Sequence, residues 1–124
     1  MKVSNEVAGV PAGLPDIFPA GCPSRMVLEH VTSKWGVLVL IALSEGEQRW
    51  GDLRRRADGV SEKMLAQTLK TLERDGLVNR SAQATIPPRV DYSLTGRGYE
   101  VSALLVPLAT WAYRNADDII NGQR

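Results

Sequence analysis

Hydrophobic residues recur at helical spacing between Ser61 and Gly76. Ser61 can cap the start of a helix, and Gly76 can end it in the left-handed conformation that glycine adopts without strain. At about 100° per residue, three leucines share one face: Leu65, Leu69 and Leu72. The long polar side chains fall opposite: Lys63, Gln67, Lys70 and Arg74. The pattern predicts an amphipathic helix of about four turns with a cationic, amide-bearing outer face.

Shorter helices are predicted before this segment. Pro23 suits the first position of a helix of about ten residues, because its missing N–H would be unpaired there anyway. Thr32 or Ser33 can cap a second helix, whose residues 35–43 are apolar nearly all round and should form the centre of the core. A third helix is predicted over residues 51–57, after a turn and a short extended piece.

Two β-like runs follow the amphipathic helix, over residues 77–82 and 90–94. The loop between them contains two prolines and Arg89, which predicts a hairpin with a stiff tip. Thr95 can cap a long last helix, and Pro107 should bend that helix because it removes a backbone hydrogen bond.

The order of these elements predicts a mainly α fold with a small antiparallel β-hairpin, arranged as a winged helix-turn-helix with flanking N- and C-terminal helices. A chain of 124 residues that is 44% hydrophobic can bury one modest core. We assign residues 22–124 to that domain and residues 1–21, which prolines and glycines interrupt, to a flexible arm. Three aromatic residues are expected in the core without a functional role: Trp35, Trp50 and Tyr92.

Charge is unevenly distributed along the chain, although the formal net charge is only +1. Residues 49–97 hold ten basic and six acidic residues, a net charge of +4, so the rest of the chain carries −3. The split indicates one anion-facing region and an opposite face available for another role.

Double-stranded DNA suits the predicted anion-facing region. In a helix-turn-helix unit the second helix lies in the major groove and the first crosses the phosphate backbone. Lys or Arg can pair with guanine and Gln with adenine, while the arginines of the third helix and Arg89 at the hairpin tip suit phosphates. Arg89 could instead enter the minor groove, and an ordinary solvated helix face is the alternative for the helical residues. The predicted DNA-binding residues are Arg54, Arg55, Arg56, Ser61, Lys63, Gln67, Thr68, Lys70, Thr71, Arg74 and Arg89.

Cys22 is the only cysteine and His30 the only histidine, which excludes an intramolecular disulfide and the usual zinc ligand sets. We expect a cytoplasmic protein without membrane contact, metal or other cofactor, because a reducing compartment fits and no secretory signal or membrane-spanning run is recognised. An enzyme is not expected, since no Ser-His-Asp set or phosphate-binding glycine loop is present.

Short motifs follow one another along the chain in a recognisable order: Cys22-Pro23, Lys34-Trp35, Arg49-Trp50, Ser61-Glu62-Lys63-Met64-Leu65, Asp75-Gly76-Leu77-Val78, Pro87-Pro88-Arg89-Val90-Asp91-Tyr92 and Leu94-Thr95. In this order and spacing the chain resembles the HxlR-type winged helix-turn-helix transcriptional regulators of bacteria, within the MarR-like superfamily. The resemblance implies a homodimer that binds a palindromic operator, with dimer contacts from the first and last helices.

The residues of the last helix also favour a dimer. A bent apolar helix at the end of one small domain would leave part of its surface exposed in a monomer, and a two-fold partner would cover that surface. Folding back onto the chain's own core is the alternative for some of these residues. The predicted dimer contacts are Ile17, Phe18, Met26, Leu104, Leu108, Trp111 and Ile119.

Cys22 has two interpretations. It precedes a helix start, where partial positive charge stabilises a thiolate, and Arg25 could add to that effect. The resemblance implies that such a cysteine senses electrophiles, quinones or disulfide stress, which here requires pairing across the dimer, thiolation or alkylation. The alternative is a silent packing residue.

Three functions remain open from the sequence. The first is a DNA-binding regulator, a repressor, whose operator affinity changes when Cys22 is modified. The second is a regulator that responds to a small molecule while Cys22 is silent. The third is a winged-helix module that binds other proteins through the same face.

Overall fold

The computed structural model describes residues 13–122. Residues 1–12 of the predicted arm and the last two residues of the predicted domain lie outside the described residues. The helices are α1 (Pro23–Thr32), α2 (Lys34–Leu43), α3 (Trp50–Arg56), α4 (Glu62–Arg74) and α5 (Gly96–Asn121). The strands are β1 (Gln48–Arg49), β2 (Val78–Gln83) and β3 (Arg89–Leu94). The predicted mainly α, winged helix-turn-helix arrangement is confirmed.

The helix boundaries follow the predicted capping residues. In three helices a cap hydroxyl accepts the backbone N–H three residues on: Ser33 from Gly36 at 3.2 Å, Ser61 from Met64 at 3.1 Å and Thr95 from Gly98 at 3.0 Å. Each such cap stabilises its helix by about 1 kcal/mol. Thr32, the other candidate cap, is the last residue of α1. Gly76 adopts φ +77°, the left-handed conformation predicted to end α4.

The core is centred on α2, as its apolar run predicts. Val39, Leu40 and Leu43 are fully buried, and α2 contacts the other four helices and β3. Trp35 and Trp50 pack against this core while partly exposed, and Tyr92 is buried within it. The start of α5 also packs closely, because a Cβ at Gly98 would collide with the carbonyl oxygen of Leu77.

The sheet is larger than the predicted hairpin. Its strand order is β1-β3-β2 with antiparallel pairing, and the extended piece before α3 forms the third strand, with Gln48 opposite Tyr92. Arg89 was predicted in the tip but is the first residue of β3, where it pairs with Gln83. The wing tip therefore consists of residues 84–88.

The last helix continues through Pro107 to Asn121. Residues 111–121 are exposed except for the half-buried Asn115, so this part of α5 projects from the core. No single helix within residues 13–122 is both long and apolar enough to span a membrane; α1 and α2 reach that length and composition together, bent by 71° at their junction.

Candidate nucleic-acid interface

The outer face of α4 is an exposed polar surface of the helix-turn-helix unit. Its leucines are buried: Leu65, Leu69 and Leu72. Its long polar side chains are exposed: Lys63, Gln67, Lys70 and Arg74. None of these four side chains has a hydrogen-bond or ion-pair partner within residues 13–122. The amines, guanidinium and amide are therefore available to an external ligand.

The hydroxyl groups predicted beside this face lie at its edges. Thr68 and Thr71 are half-buried and line a groove of about 170 Å³ between α4 and α1, because both point to the α1 side of the helix. The Ser61 hydroxyl accepts the Met64 N–H and caps the helix. These three residues lie beside the outer face, and their contact with DNA stays a prediction.

The three arginines of α3 are held by carboxylates of the protein itself. Arg54 Nη1 lies 3.0 Å from Glu62 Oε2, at the start of α4. Arg55 Nη2 lies 2.5 Å from Asp52 Oδ1, and Arg56 pairs with Glu45. The arginine side chains are 46%, 76% and 54% exposed, so solvent and phosphate can reach them. To bind one of these arginines, a phosphate would have to displace the carboxylate or share the guanidinium with it.

Arg89 is anchored behind the wing tip. Its Nε donates at 3.1 Å to both carboxylate oxygens of Asp91, which is 2% exposed. Gln83 Nε2 donates to the same carboxylate at 2.9 Å. The Arg89 side chain is still 42% exposed. Arg89 therefore pairs with a buried carboxylate on its own strand, which Gln83 of β2 also contacts, and reaches solvent at the base of the tip. The sequence did not predict this structural role.

A contact between α1 and the end of α4 was also missed. His30 Nδ1 lies 2.6 Å from Asp75 Oδ2, and both side chains are partly buried. The two residues are 45 positions apart, so no local pattern could have paired them. The contact fixes the C-terminal end of α4 against α1.

Cys22 is half-buried directly before α1. Its Sγ lies 3.8 Å from the carbonyl oxygen of Asp16. Arg25, expected to act on the thiol, instead donates to the Glu29 carboxylate at 3.3 Å and to the Phe18 carbonyl at 2.7 Å. The arginine therefore holds the residues before α1 against that helix, and its effect on the thiol stays a prediction.

The predicted dimer residues are mostly exposed in the single chain. Leu104, Leu108 and Trp111 are 73%, 56% and 58% exposed, so α5 does not fold back over them. Phe18, Met26 and Ile119 are exposed, and Ile17 is half-buried. The sequence reasoning missed two exposed apolar neighbours of Met26 on α1, Val27 and Leu28. Their exposure extends the apolar surface along α1.

The ligand sets that metal ions need are groups of His, Cys, Asp or Glu side chains placed close together. Within residues 13–122, no group of three or more His, Cys, Asp or Glu side chains is placed to hold a metal ion.

An amphipathic helix capped by Ser61, a short helix before it and a β2–β3 wing within a three-stranded sheet together define a winged helix-turn-helix transcription regulator. The family model described as HxlR-like helix-turn-helix matches residues 30–119, and the chain belongs to this family. Proteins of this family are regulators and not enzymes, in agreement with the prediction.

Similar proteins bear names of the same kind. YtfH of Escherichia coli, an uncharacterised HTH-type transcriptional regulator, is 53% identical over 105 residues, which are 85% of this chain and 83% of that protein. The solved structure of ytfH from Salmonella typhimurium is 49% identical with a TM-score of 0.83, covering 89% of this chain and 98% of that one. The oxidised form of the redox regulator HypR is 30% identical with a TM-score of 0.70, covering 76% and 97%.

Proposed function

We propose that the protein acts as a homodimer that binds a palindromic operator in double-stranded DNA and represses transcription there. The observation that carries the proposal is the outer face of α4, where four long donors lack partners within the described residues while the opposite face is buried. A major groove is wide enough to admit such a helix. Since its target is chromosomal DNA, the proposed place of action is the cytoplasm.

Each element has its own part in the proposed complex. Gln67 can bond adenine through two hydrogen bonds, and Lys63 or Lys70 can bond guanine O6 and N7. The arginines of α3 would neutralise phosphates and set the register without reading sequence. Repression then follows from occupation of a promoter, and removing the protein should raise transcription from a promoter that carries its site.

The base-reading role of α4 can be tested on a site selected from a random duplex library. Replacing Lys63 and Gln67 together by alanine should reduce the preference for the selected site over random DNA by roughly 10- to 100-fold, because each good base contact discriminates by about 1–3 kcal/mol. Mobility shifts on both duplexes measure this ratio.

Arg97→Ala is the matched control for that double variant. It removes one positive charge from an exposed residue of α5, at the end of the hairpin far from the tip. It should leave the preference unchanged. A double variant that retained the full preference would show that α4 is not the reader.

The dependence of binding affinity on salt concentration distinguishes this proposal from a protein-interaction module. Binding to DNA should weaken steeply between about 50 and 200 mM salt, because phosphate contacts release counterions. An apolar protein interface would not weaken in that way. A wild-type chain that bound no duplex even at low salt would favour the interaction module.

A thiol switch at Cys22 is the second part of the proposal. Its support is the position of a half-buried cysteine directly before α1 and the similarity to the redox regulator HypR. Oxidation can act either through a disulfide between the two Cys22 residues of a dimer or through a mixed adduct with a small thiol. Both would alter the start of an apolar helix proposed to contact the partner.

Diamide treatment tests the switch. Oxidant should change the mobility shift of the wild-type protein and leave that of Cys22→Ser unchanged. A non-reducing gel then distinguishes a covalent dimer from a low-molecular-weight adduct. If Cys22→Ser were still released from DNA by diamide, the cysteine would be silent, and a regulator that responds to a small molecule would be the better description.

A further inference from the structure

The wing tip presents an isolated apolar side chain to solvent. Residues 84–88 connect the last strand pair, Gln83 opposite Arg89, and all five are exposed. Ile86 at the centre of the tip is 101% exposed, so it contacts essentially nothing in the protein. No charged residue occurs between Arg80 and Arg89. The outermost part of the wing therefore offers a hydrocarbon surface and no cation.

We propose that Ile86 enters the minor groove of the operator as an apolar wedge and selects a deformable pyrimidine–purine step there. The inference rests on the proposed function, because it needs α4 in the neighbouring major groove. Isoleucine and proline are among the side chains that proteins insert between base pairs from the minor groove.

The length of the wing fits this placement. Lys70 of α4 and Arg80 of β2 line the same cleft of about 170 Å³, so the wing leaves α4 near Arg80. From Arg80 the ladder continues to Gln83, and the tip extends to Ile86. At about 3.3 Å per residue, and with part of the tip turning back, Ile86 lies roughly 15–20 Å from Arg80 along the wing. Half a turn of B-DNA, which separates a major groove from the next minor groove, is roughly 17 Å.

The contacts of Arg89 favour a tip that binds DNA through apolar contact over a tip that binds through positive charge. An arginine at the tip would bind preferentially in the narrow minor groove of an A-tract, where the negative potential is strongest. Arg89 instead sits behind the tip with its Nε bonded to the buried Asp91. A side chain without charge gains nothing from that potential and gains contact area where bases unstack readily, at TA or CA steps.

The tip is also held in shape from within. The Thr85 hydroxyl donates to the Pro87 carbonyl at 2.8 Å, and two consecutive prolines restrict the backbone after Ile86. A tip ordered before binding loses less entropy when it enters the groove.

The test measures Kd for the selected duplex at low and high salt for wild type, Ile86→Ala, Ile86→Leu and Ser81→Ala. Ile86→Ala should weaken binding about tenfold at both salt concentrations, because the lost contact is apolar and releases no counterion. Ile86→Leu should bind within about threefold of wild type. Ser81→Ala, an exposed position on the wing strand, should bind as wild type does.

A second measurement uses the DNA. Hydroxyl-radical footprinting locates the minor-groove position that wild type protects and Ile86→Ala does not. Replacing the pyrimidine–purine step there by an A-tract should weaken wild type about tenfold and leave Ile86→Ala nearly unchanged.

Two results would overturn the inference while leaving the proposed function intact. One is an Ile86→Ala variant that binds the selected duplex as tightly as wild type. The other is a loss that shrinks as salt rises, which would indicate a phosphate contact. Failure of the wild-type chain to select any duplex would overturn the proposed function, and this inference with it. Thermal unfolding should be the same for all variants, because the replaced side chains are exposed.

Discussion

Asp91 is a buried carboxylate that accepts hydrogen bonds from two neighbours in the wing. Arg89 supplies a guanidinium Nε at 3.1 Å to both oxygens, and Gln83 supplies an amide N–H at 2.9 Å. A buried charge without a partner is costly, so both contacts stabilise the outer end of the wing, and the contact from Gln83 also links β2 to β3. Arg89 therefore stabilises the wing in addition to any contact that it makes with DNA.

Replacing Arg89 by alanine should lower the free energy of unfolding by about 1–3 kcal/mol, because Asp91 loses its charged partner while buried. Urea unfolding measures the change. Arg80→Ala is the control, since it removes an exposed arginine from the same wing without a partner among the described residues, and it should change stability by less than about 0.5 kcal/mol. Equal stabilities for the two variants would show that Asp91 does not need Arg89.

At the scale of elements, α3 and α4 are joined by the ion pair between Arg54 and Glu62. Both side chains are largely exposed, so the pair adds little to stability. In the proposed DNA complex the carboxylate would compete with phosphate for the guanidinium, and it adds negative charge at the start of α4.

Replacing Glu62 by glutamine should raise the affinity for DNA about two- to fivefold at low salt, with a smaller gain at high salt. The increase should appear on random DNA as well as on the selected site, because phosphate contacts carry no sequence information. Mobility shifts at two salt concentrations measure it. Glu100→Gln removes the same charge from α5, and an equal gain in that variant would attribute the effect to net charge alone.

Local sequence patterns predicted where the helices lie, but not all of the pairings between strands and between side chains. The leucine spacing and the cap residues located α4, because both signals lie within a few turns of one helix. β1 was missed as a strand because two residues have no alternation of their own and owe their conformation to pairing with β3. The α3 arginines were predicted to contact phosphates, and their pairing with Glu45 and Glu62 was missed because these carboxylates approach them only in the folded chain.

At the scale of the whole molecule, the exposure of the end of α5 has no explanation within a single chain. Residues 111–121 extend about 16 Å at 1.5 Å per residue, almost entirely exposed. Leu104, Leu108 and Trp111 fall on one stripe of this helix, at spacings of four and three residues. An apolar stripe on a projecting helix is the surface that a two-fold partner would cover, and a dimer would present two copies of α4 to a palindromic site.

Replacing Trp111 by glutamate should convert the proposed dimer to a monomer, because the interface would bury an unpaired charge. Loss of the second α4 should weaken binding to the palindromic site at least about 100-fold, while binding to a single half-site changes little. Sedimentation equilibrium and mobility shifts measure the two effects. Tyr113→Glu places the same charge about 200° around the helix, on an exposed side chain, and should remain dimeric. A Trp111→Glu protein that stayed dimeric would show that the interface lies outside this stripe. A wild-type protein that stayed monomeric at every concentration would contradict the proposed two-fold binding to a palindromic site.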